Sequence, residues 1–92
     1  MIKSFRHKGL RRFFETEGKA GIQVVPASRL RLQLAALDQA VRPEDLSADS
    51  WNLHPLKGDL KGHGALTVNG NWRMVFAFEG TDAVLVDYLD YH

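Results

Sequence analysis

The hydrophobic residues in the first half of the chain recur at helical spacing. A short stripe predicts a helix over residues 7–17, stopped by Gly18, and its members are Leu10, Phe13 and Phe14. A longer stripe predicts a second helix that begins near Pro26 and ends before Pro43, and its members are Leu30, Leu34, Leu37 and Val41. Each stripe indicates a helix that buries one face.

The second half changes to a period of two, which is typical of strands. A short apolar run at residues 65–68 is followed by Asn69-Gly70, which predicts a two-residue hairpin with positive φ at both turn positions. On the return strand the large apolar residues alternate with smaller or charged ones, and they are Trp72, Met74, Phe76 and Phe78. One face of this strand should therefore be buried.

Three further segments complete the predicted sheet. Residues 2–5 open the chain as a short strand, with Ile2 and Phe5 on opposite faces. Residues 51–56 could form another strand, and residues 83–91 form the last one. The pattern predicts an α+β domain, in which a short N-terminal strand and two helices pack on one face of an antiparallel sheet of four to five strands.

Length and composition narrow the class of protein. A chain of 92 residues is long enough for one domain, and we expect residues 1–92 to form it. The absence of cysteine excludes a disulfide scaffold and a thiolate metal site. The chain has neither an apolar run near the roughly 20 residues of a transmembrane helix nor the apolar segment of a signal peptide. We therefore expect a cytoplasmic protein with no membrane partner.

The net charge of +1 is unevenly distributed along the chain. Residues 1–46 contain nine Lys or Arg against five Asp or Glu, whereas residues 47–92 contain three against six. The basic half could attract a polyanion. Alternatively, its arginines could simply be the solvated faces of the two helices, as for Arg11, Arg12, Arg29 and Arg31.

Polar residues interrupt the strand-rich second half at three places. His54 and Lys57 lie three residues apart, just before Gly58. Arg73 stands among apolar residues on a predicted strand, where burial without a partner would be costly. The third place is the end of the sequence, with Asp90, Tyr91 and His92.

These residue types suit RNA cleavage by attack of a ribose 2′-OH on the adjacent phosphate. The reaction needs a base, an acid and positive charge at the phosphate. Histidine suits both proton roles because its unperturbed pKa is about 6.5. Arg73 could bind phosphate oxygens in a bidentate manner and Lys57 could add a point charge, while Tyr91 could stack on an unpaired base.

Each of these groups also has a structural alternative. His54 could be an ordinary hydrogen-bonded histidine, and Asp90 and His92 could belong to a frayed terminus. Arg73 could pair with a nearby carboxylate, namely Glu79, Asp87 or Asp90. A zinc site built from histidines and Asp90 is disfavoured, because no HxxxH or similar local pair occurs.

Four segments taken together resemble one known family. They are MIKSF at residues 1–5, HPLKGD at 54–59, VNGNWR at 68–73 and DYLDYH at 87–92. This set resembles the HigB branch, or plasmid-maintenance killer proteins, of the RelE/ParE toxin superfamily. The resemblance extends over the whole chain.

The resemblance implies a RelE-like fold and a metal-independent endoribonuclease without a cofactor, the toxin of a type II toxin–antitoxin system that cleaves mRNA in the ribosomal A site. It also implies a HigA-type antitoxin with a helix-turn-helix fold, through which alone the complex would contact operator DNA. Family positions carry over as catalytic residues onto His54, Asp90 and His92. They carry over as substrate-binding residues onto Lys57, Arg73 and Tyr91.

One segment departs from the family pattern. Relatives commonly have Gly-x-Trp-Ser where this chain has Gly62-His63-Gly64-Ala65. We expect looser packing at the start of a strand, with altered activity as the alternative. His63 is expected to be exposed and without a role.

Two other functions remain open at the level of sequence. A ParE-like protein would inhibit DNA gyrase on the same fold without cutting nucleic acid, and an interaction module would only bind a partner. The complete set of proton-transfer residues favours the nuclease, because the other two functions do not need it.

Overall fold

Two helices and four strands make up the computed structural model, which describes residues 1–16, 27–47 and 49–90. The helices are α1 (Lys8–Thr16) and α2 (Ala27–Gln39). The strands are β1 (His54–Pro55), β2 (His63–Asn69), β3 (Trp72–Glu79) and β4 (Asp82–Asp90). Three short 3-10 helices fall between α2 and β2, at Pro43–Leu46, Asp49–Trp51 and Gly58–Leu60.

The strands form one antiparallel sheet in the order β1-β2-β3-β4, so each pairs with its neighbour in sequence. The buried residues of both helices and of one sheet face form a single hydrophobic cluster. From the sheet it includes Leu66, Val68, Met74, Phe76, Ala83, Val86 and Tyr88. The predicted α+β class, with helices on one face of an antiparallel sheet, is confirmed.

Helix α1 begins with a side-chain cap. The Nδ1 atom of His7 accepts a hydrogen bond from the backbone N–H of Leu10 at 3.0 Å, which satisfies one of the free donors of the first turn. Leu10 and Phe13 are buried in the core as predicted. The predicted last residue, Glu17, and the stop at Gly18 lie outside the described residues.

Helix α2 buries the predicted stripe except at its end. Leu30, Leu34 and Leu37 are each at most 1% exposed. The prediction for Val41 is wrong, because the helix ends at Gln39 and Val41 is 52% exposed. The Val41 N–H instead donates a hydrogen bond to a carboxylate oxygen of Asp45 at 3.0 Å, in the turn that leads into the next 3-10 helix. Pro26 is not among the described residues.

The hairpin between β2 and β3 forms as predicted, but its turn is one residue further along. Asn69 pairs with Trp72 as part of the sheet, so Gly70 and Asn71 form the turn. Among Asn69, Gly70 and Asn71 only Gly70 has positive φ, at +54°, whereas positive φ was predicted for Asn69 too. Glycine at the first turn position is typical of a type II′ turn. A bulge between Thr67 and Asn69 shifts the register.

The N-terminal segment lies parallel to β4 but forms only two isolated bridges with it, Ile2 to Ala83 and Phe5 to Val86. Both Ile2 and Phe5 pack against the core, so the prediction that they face opposite ways is wrong. The physical reason is a bulge in β4 at Leu85, where φ is +56°. The Leu85 N–H donates to the Ser4 hydroxyl at 2.8 Å, which interrupts a regular ladder.

The segment predicted as a strand over residues 51–56 is mostly irregular. Only His54 and Pro55 pair with β2, opposite Ala65 and Gly64. Trp51 belongs to a 3-10 helix instead and packs partly against the core. Neither of the two helices described here is long and apolar enough to cross a membrane.

Candidate functional site

The sheet face that points away from the helices carries the predicted polar residues of the middle strands. His54, Ala65, Val75 and Asp87 lie directly opposite one another across the four strands, and such partners share a face. The next row along contains Thr67, Arg73 and Leu89. The core-forming residues Met74 and Phe76 alternate with Arg73 and Val75. We call this face the open face because it lies away from the two helices, although Ala65 and Val75 on it are themselves buried.

His54 is held at the edge of this face by a backbone carbonyl. Its Nδ1 lies 2.7 Å from the carbonyl oxygen of Asn52. No hydrogen bond to Nε2 is formed within the described part of the chain. The half-buried His54 ring therefore has one nitrogen engaged and the other available to a substrate.

Arg73 is fixed by the hairpin turn without losing its charge. One guanidinium nitrogen, Nη1, donates to the carbonyl oxygens of Gly70 at 2.6 Å and Trp72 at 3.1 Å. The ion pairs seen between described residues do not include Arg73, so the alternative pairing with Glu79, Asp87 or Asp90 is not found. Carbonyl acceptors orient the side chain and leave a full positive charge for an anion.

Lys57 lies on the other side of His54 from Arg73. It is exposed and follows β1, and the Leu56 N–H donates to the His63 carbonyl at the start of β2. Arg73, by contrast, pairs with Thr67 near the far end of β2. The backbones of Lys57 and Arg73 therefore lie on opposite sides of His54 along the strand direction.

Asp90 is not brought to the same face as His54 and Arg73. It pairs with Trp72 at the end of β4. It lies two residues after Tyr88, so the two share the helix-facing side of the strand. Tyr88 stacks on Trp72 with ring centroids 4.5 Å apart, and burial, followed by the charge of Asp90, raises the pKa of Tyr88 to about 12. Tyr91 and His92 lie outside the described residues.

The departure at Gly64 coincides with a cavity of about 310 Å³ beside His54. A Cβ atom at Gly64 would lie 3.2 Å from the Phe76 ring, so glycine permits close packing there. Residues from three segments line the cavity: Pro43, Glu44, Leu53, His54, Pro55, Gly62, His63 and Gly64. The expectation of looser packing at Gly64 itself is wrong, because the glycine packs closely on Phe76 and the cavity lies beside it at the edge of the sheet.

The prediction that His63 is exposed is wrong. The residue is half-buried, and both of its ring nitrogens are buried without a hydrogen-bond partner. In the described ranges, no three His, Cys, Asp or Glu side chains are grouped so that they could hold a metal ion.

One residue of this site was missed in the sequence. Asn52 has a left-handed backbone with φ of +50°, and this turn aims its carbonyl at His54. An asparagine two residues before a candidate histidine was the available signal, since asparagine tolerates positive φ better than most residues.

A family model described as the RelE-like toxin HigB of a type II toxin–antitoxin system matches residues 3–92. The chain is also 42% identical over 92 residues to the protein named Endoribonuclease HigB from Proteus vulgaris, and the match covers 100% of both sequences.

Proposed function

The chain belongs to the HigB-like family of RelE-like toxins of type II toxin–antitoxin systems, and on this premise we propose that it is an endoribonuclease that cleaves mRNA. Membership confirms the resemblance carried by the sequence motifs. It also gives the chain an antitoxin as partner and RNA as substrate.

The observation that supports nuclease chemistry best is the presence of His54 and Arg73 on the same open sheet face. His54 presents an unengaged ring nitrogen, and Arg73 carries a charge that no described carboxylate neutralises. A proton-transfer group and an oriented cation are two of the three requirements for attack of a 2′-OH on the adjacent phosphate.

We assign the chemical roles as follows. His54 and His92 transfer protons, and Arg73 stabilises charge on the phosphate that is attacked. Lys57 lies on the opposite side of His54 from Arg73, so it contacts a neighbouring phosphate of the same RNA strand. Tyr91 stacks on a base.

Asp90 needs a different role from His54, because it lies by register beside Trp72 on the helix-facing side. A carboxylate there is well placed to hold a neighbouring side chain rather than to reach the attacked phosphate. We therefore propose that Asp90 orients His92, the residue two positions later.

The finer partners follow from the family and remain part of the proposal. The substrate is mRNA in the A site of the ribosome, which places the activity in the cytoplasm. The antitoxin is of the HigA type with a helix-turn-helix fold, and it makes the contacts to operator DNA. The reaction uses no cofactor and no metal ion.

Two alternative functions predict a different outcome from the nuclease. A ParE-like toxin inhibits DNA gyrase on a similar fold, and an interaction module binds a partner without catalysis. Neither depends on the unengaged nitrogen of His54, so both predict that His54→Ala leaves growth arrest intact.

The deciding experiment is inducible expression in bacteria with mapping of mRNA 5′ ends. We expect the unaltered protein to produce cuts in phase with codons, and His54→Ala and His92→Ala to abolish them. The same mapping is applied to Lys57→Ala. Its matched control is Lys61→Ala, because both lysines are exposed and flank the same short 3-10 helix. Growth arrest without mRNA cuts would contradict the nuclease.

A further inference from the structure

The backbone turns sharply at Asn52, two residues before the start of β1, and its φ of +50° lies in the left-handed region. Only roughly a few per cent of non-glycine residues have positive φ. Among the described residues Leu85 is the only other non-glycine example, and the bulge of β4 accounts for it. Asn52 lies outside both bulges of the sheet, and asparagine adopts this conformation more readily than most residues.

The carbonyl of Asn52 determines which nitrogen of His54 carries hydrogen. The oxygen lies 2.7 Å from Nδ1, and a carbonyl oxygen can only accept a hydrogen bond. Nδ1 must therefore be the donor, and in the neutral ring the lone pair lies on Nε2. The turn at Asn52 thus selects the tautomer of His54 and orients the ring.

We propose that Asn52 is a positioning residue that holds His54 in the tautomer needed to act as the general base, an inference that rests on the nuclease function proposed above. Nε2 removes the proton of the ribose 2′-OH as the 2′ oxygen bonds to phosphorus. The bond between phosphorus and the 5′ oxygen breaks, and the leaving oxygen takes a proton from a separate acid. The Asn52 carbonyl stays bonded to Nδ1–H as the ring becomes positively charged.

The size of the expected effect follows from what a tautomer controls. A positioned proton-transfer group contributes about 10²–10⁴-fold to a rate. A histidine held in the wrong tautomer has its lone pair on the wrong nitrogen and can lose up to about 10⁴-fold. A residue that fixes the tautomer is therefore visible in kcat although it does not touch the substrate.

The test compares two substitutions that differ in backbone preference. Asn52→Gly keeps the left-handed turn, because glycine adopts positive φ without strain. Asn52→Val disfavours the turn, because a β-branched residue is an outlier there. Asn52 is exposed, so neither change removes buried side-chain packing.

The primary measurement is long-range ¹H–¹⁵N NMR of the histidine rings at a pH where they are neutral. The His54 signals are assigned by their loss in His54→Gln. We expect hydrogen on Nδ1 in the unaltered protein and in Asn52→Gly, and a mixture of tautomers in Asn52→Val. We also expect cleavage by Asn52→Val to be slower than in the unaltered protein by about tenfold or more. Asn52→Gly should retain most of the rate of the unaltered protein.

Leu85→Val is the matched control, since it places the same β-branched residue at the other positive-φ position, away from β1. It should leave the His54 tautomer unchanged. Hydrogen on Nε2 in the unaltered protein, or an unchanged tautomer and rate in Asn52→Val, would overturn the proposal. Absence of cleavage by the unaltered protein overturns the proposed function and the contribution of Asn52 to catalysis, whereas the NMR result still decides whether Asn52 positions the His54 tautomer.

Discussion

Arg73 illustrates how one side chain can be held rigidly and remain charged. Its guanidinium binds the carbonyl oxygens of Gly70 and Trp72, which are part of the hairpin itself. An ion pair would have oriented the side chain equally well, but it would also have neutralised the charge that a phosphate needs. The hairpin therefore supports the side chain that we propose binds phosphate.

We predict that Arg73→Ala lowers RNA cleavage by roughly 10²–10³-fold, the usual effect of removing one donor that stabilises developing charge. Arg73→Lys should restore only part of the rate, because lysine lacks the planar fork. The measurement is cleavage rate on ribosomes programmed with mRNA. Arg12→Ala removes an exposed arginine from α1, on the opposite layer, and should leave the rate unchanged. Equal losses for the two arginines would argue against a local role.

Gly64 is a second position at which a single atom matters. A Cβ there would lie 3.2 Å from the ring of Phe76, which is fully buried and packs edge-on against Phe78. Gly64→Ala should lower the free energy of unfolding by roughly 1 kcal/mol. Overpacking costs about 1–3 kcal/mol, and the reduced freedom of the unfolded chain offsets about 0.4–1 kcal/mol of that.

Denaturant unfolding of Gly64→Ala measures this cost. The same substitution in a Phe76→Leu background should cost less, because the atoms that the new methyl group would meet are gone. The coupling between the two positions is the quantity of interest. Additive effects would show that the ring of Phe76 is not the obstacle.

At the scale of elements, the bulge in β4 decides which residues face the helices. Ala83 and Val86 are both buried although they are three residues apart, because the extra residue at Leu85 reverses the alternation. Leu85 takes the strained conformation and Ser4 binds its N–H. The same bulge sets the face of every later residue of β4, including Asp87 and Asp90.

We predict that Leu85→Val destabilises the protein by about 1–2 kcal/mol, because a β-branched side chain adds strain at positive φ. Leu85 is 36% exposed, so little burial changes. Leu85→Gly should be tolerated within about 1 kcal/mol, since glycine relieves the strain but adds freedom to the unfolded chain. Thermal and denaturant unfolding compare the two, and equal stability of both variants would contradict the account of the bulge.

At the scale of the whole molecule, the basic helices and the candidate site lie on opposite sides of the sheet. Two of the arginines are engaged in packing, since Arg31 lies over the ring of Phe13 and Arg29 approaches the Val68 carbonyl. Arg11 pairs with Glu15 on the surface of α1. Attraction of RNA by the basic half would thus act over a distance and not at the reacting phosphate.

Tyr88 links global stability to pH. Its pKa is raised to about 12 in the folded protein, mainly by burial and then by Asp90, whereas an unfolded tyrosine has a pKa of about 10. The folded state therefore retains its proton where the unfolded state loses it. The stability contributed by Tyr88 is complete below about pH 10 and is lost as pH rises toward about 12.

We therefore expect the free energy of unfolding to fall between about pH 10 and 12, by at most about 1.4 kcal/mol per pH unit from this residue. Tyr88→Phe keeps the ring stacked on Trp72 and removes the ionisable hydroxyl. The measurement is denaturant unfolding of both proteins across this range. Parallel curves for the two proteins would rule out the assigned effect.

The sequence by itself determined the two helices and the three long strands that follow them, in their order. The helical stripes at Leu10 and at Leu30, Leu34 and Leu37, and the alternation along β3, arise from local spacing, which a sequence displays directly. The candidate residues His54 and Arg73 were also recognisable by type. Local pattern is sufficient for these features because burial of one face requires a fixed period.

The tertiary structure alone decided which face each candidate occupies and what holds it. Whether Ile2 packs inward, where the hairpin turns and which side Asp90 takes depend on bulges, and a bulge depends on distant partners. Ser4 binds Leu85 across 81 positions of sequence. Gln33 similarly binds the Thr67 carbonyl beside the bulge of β2. Such contacts form only when the chain is folded, so no local pattern could reveal them.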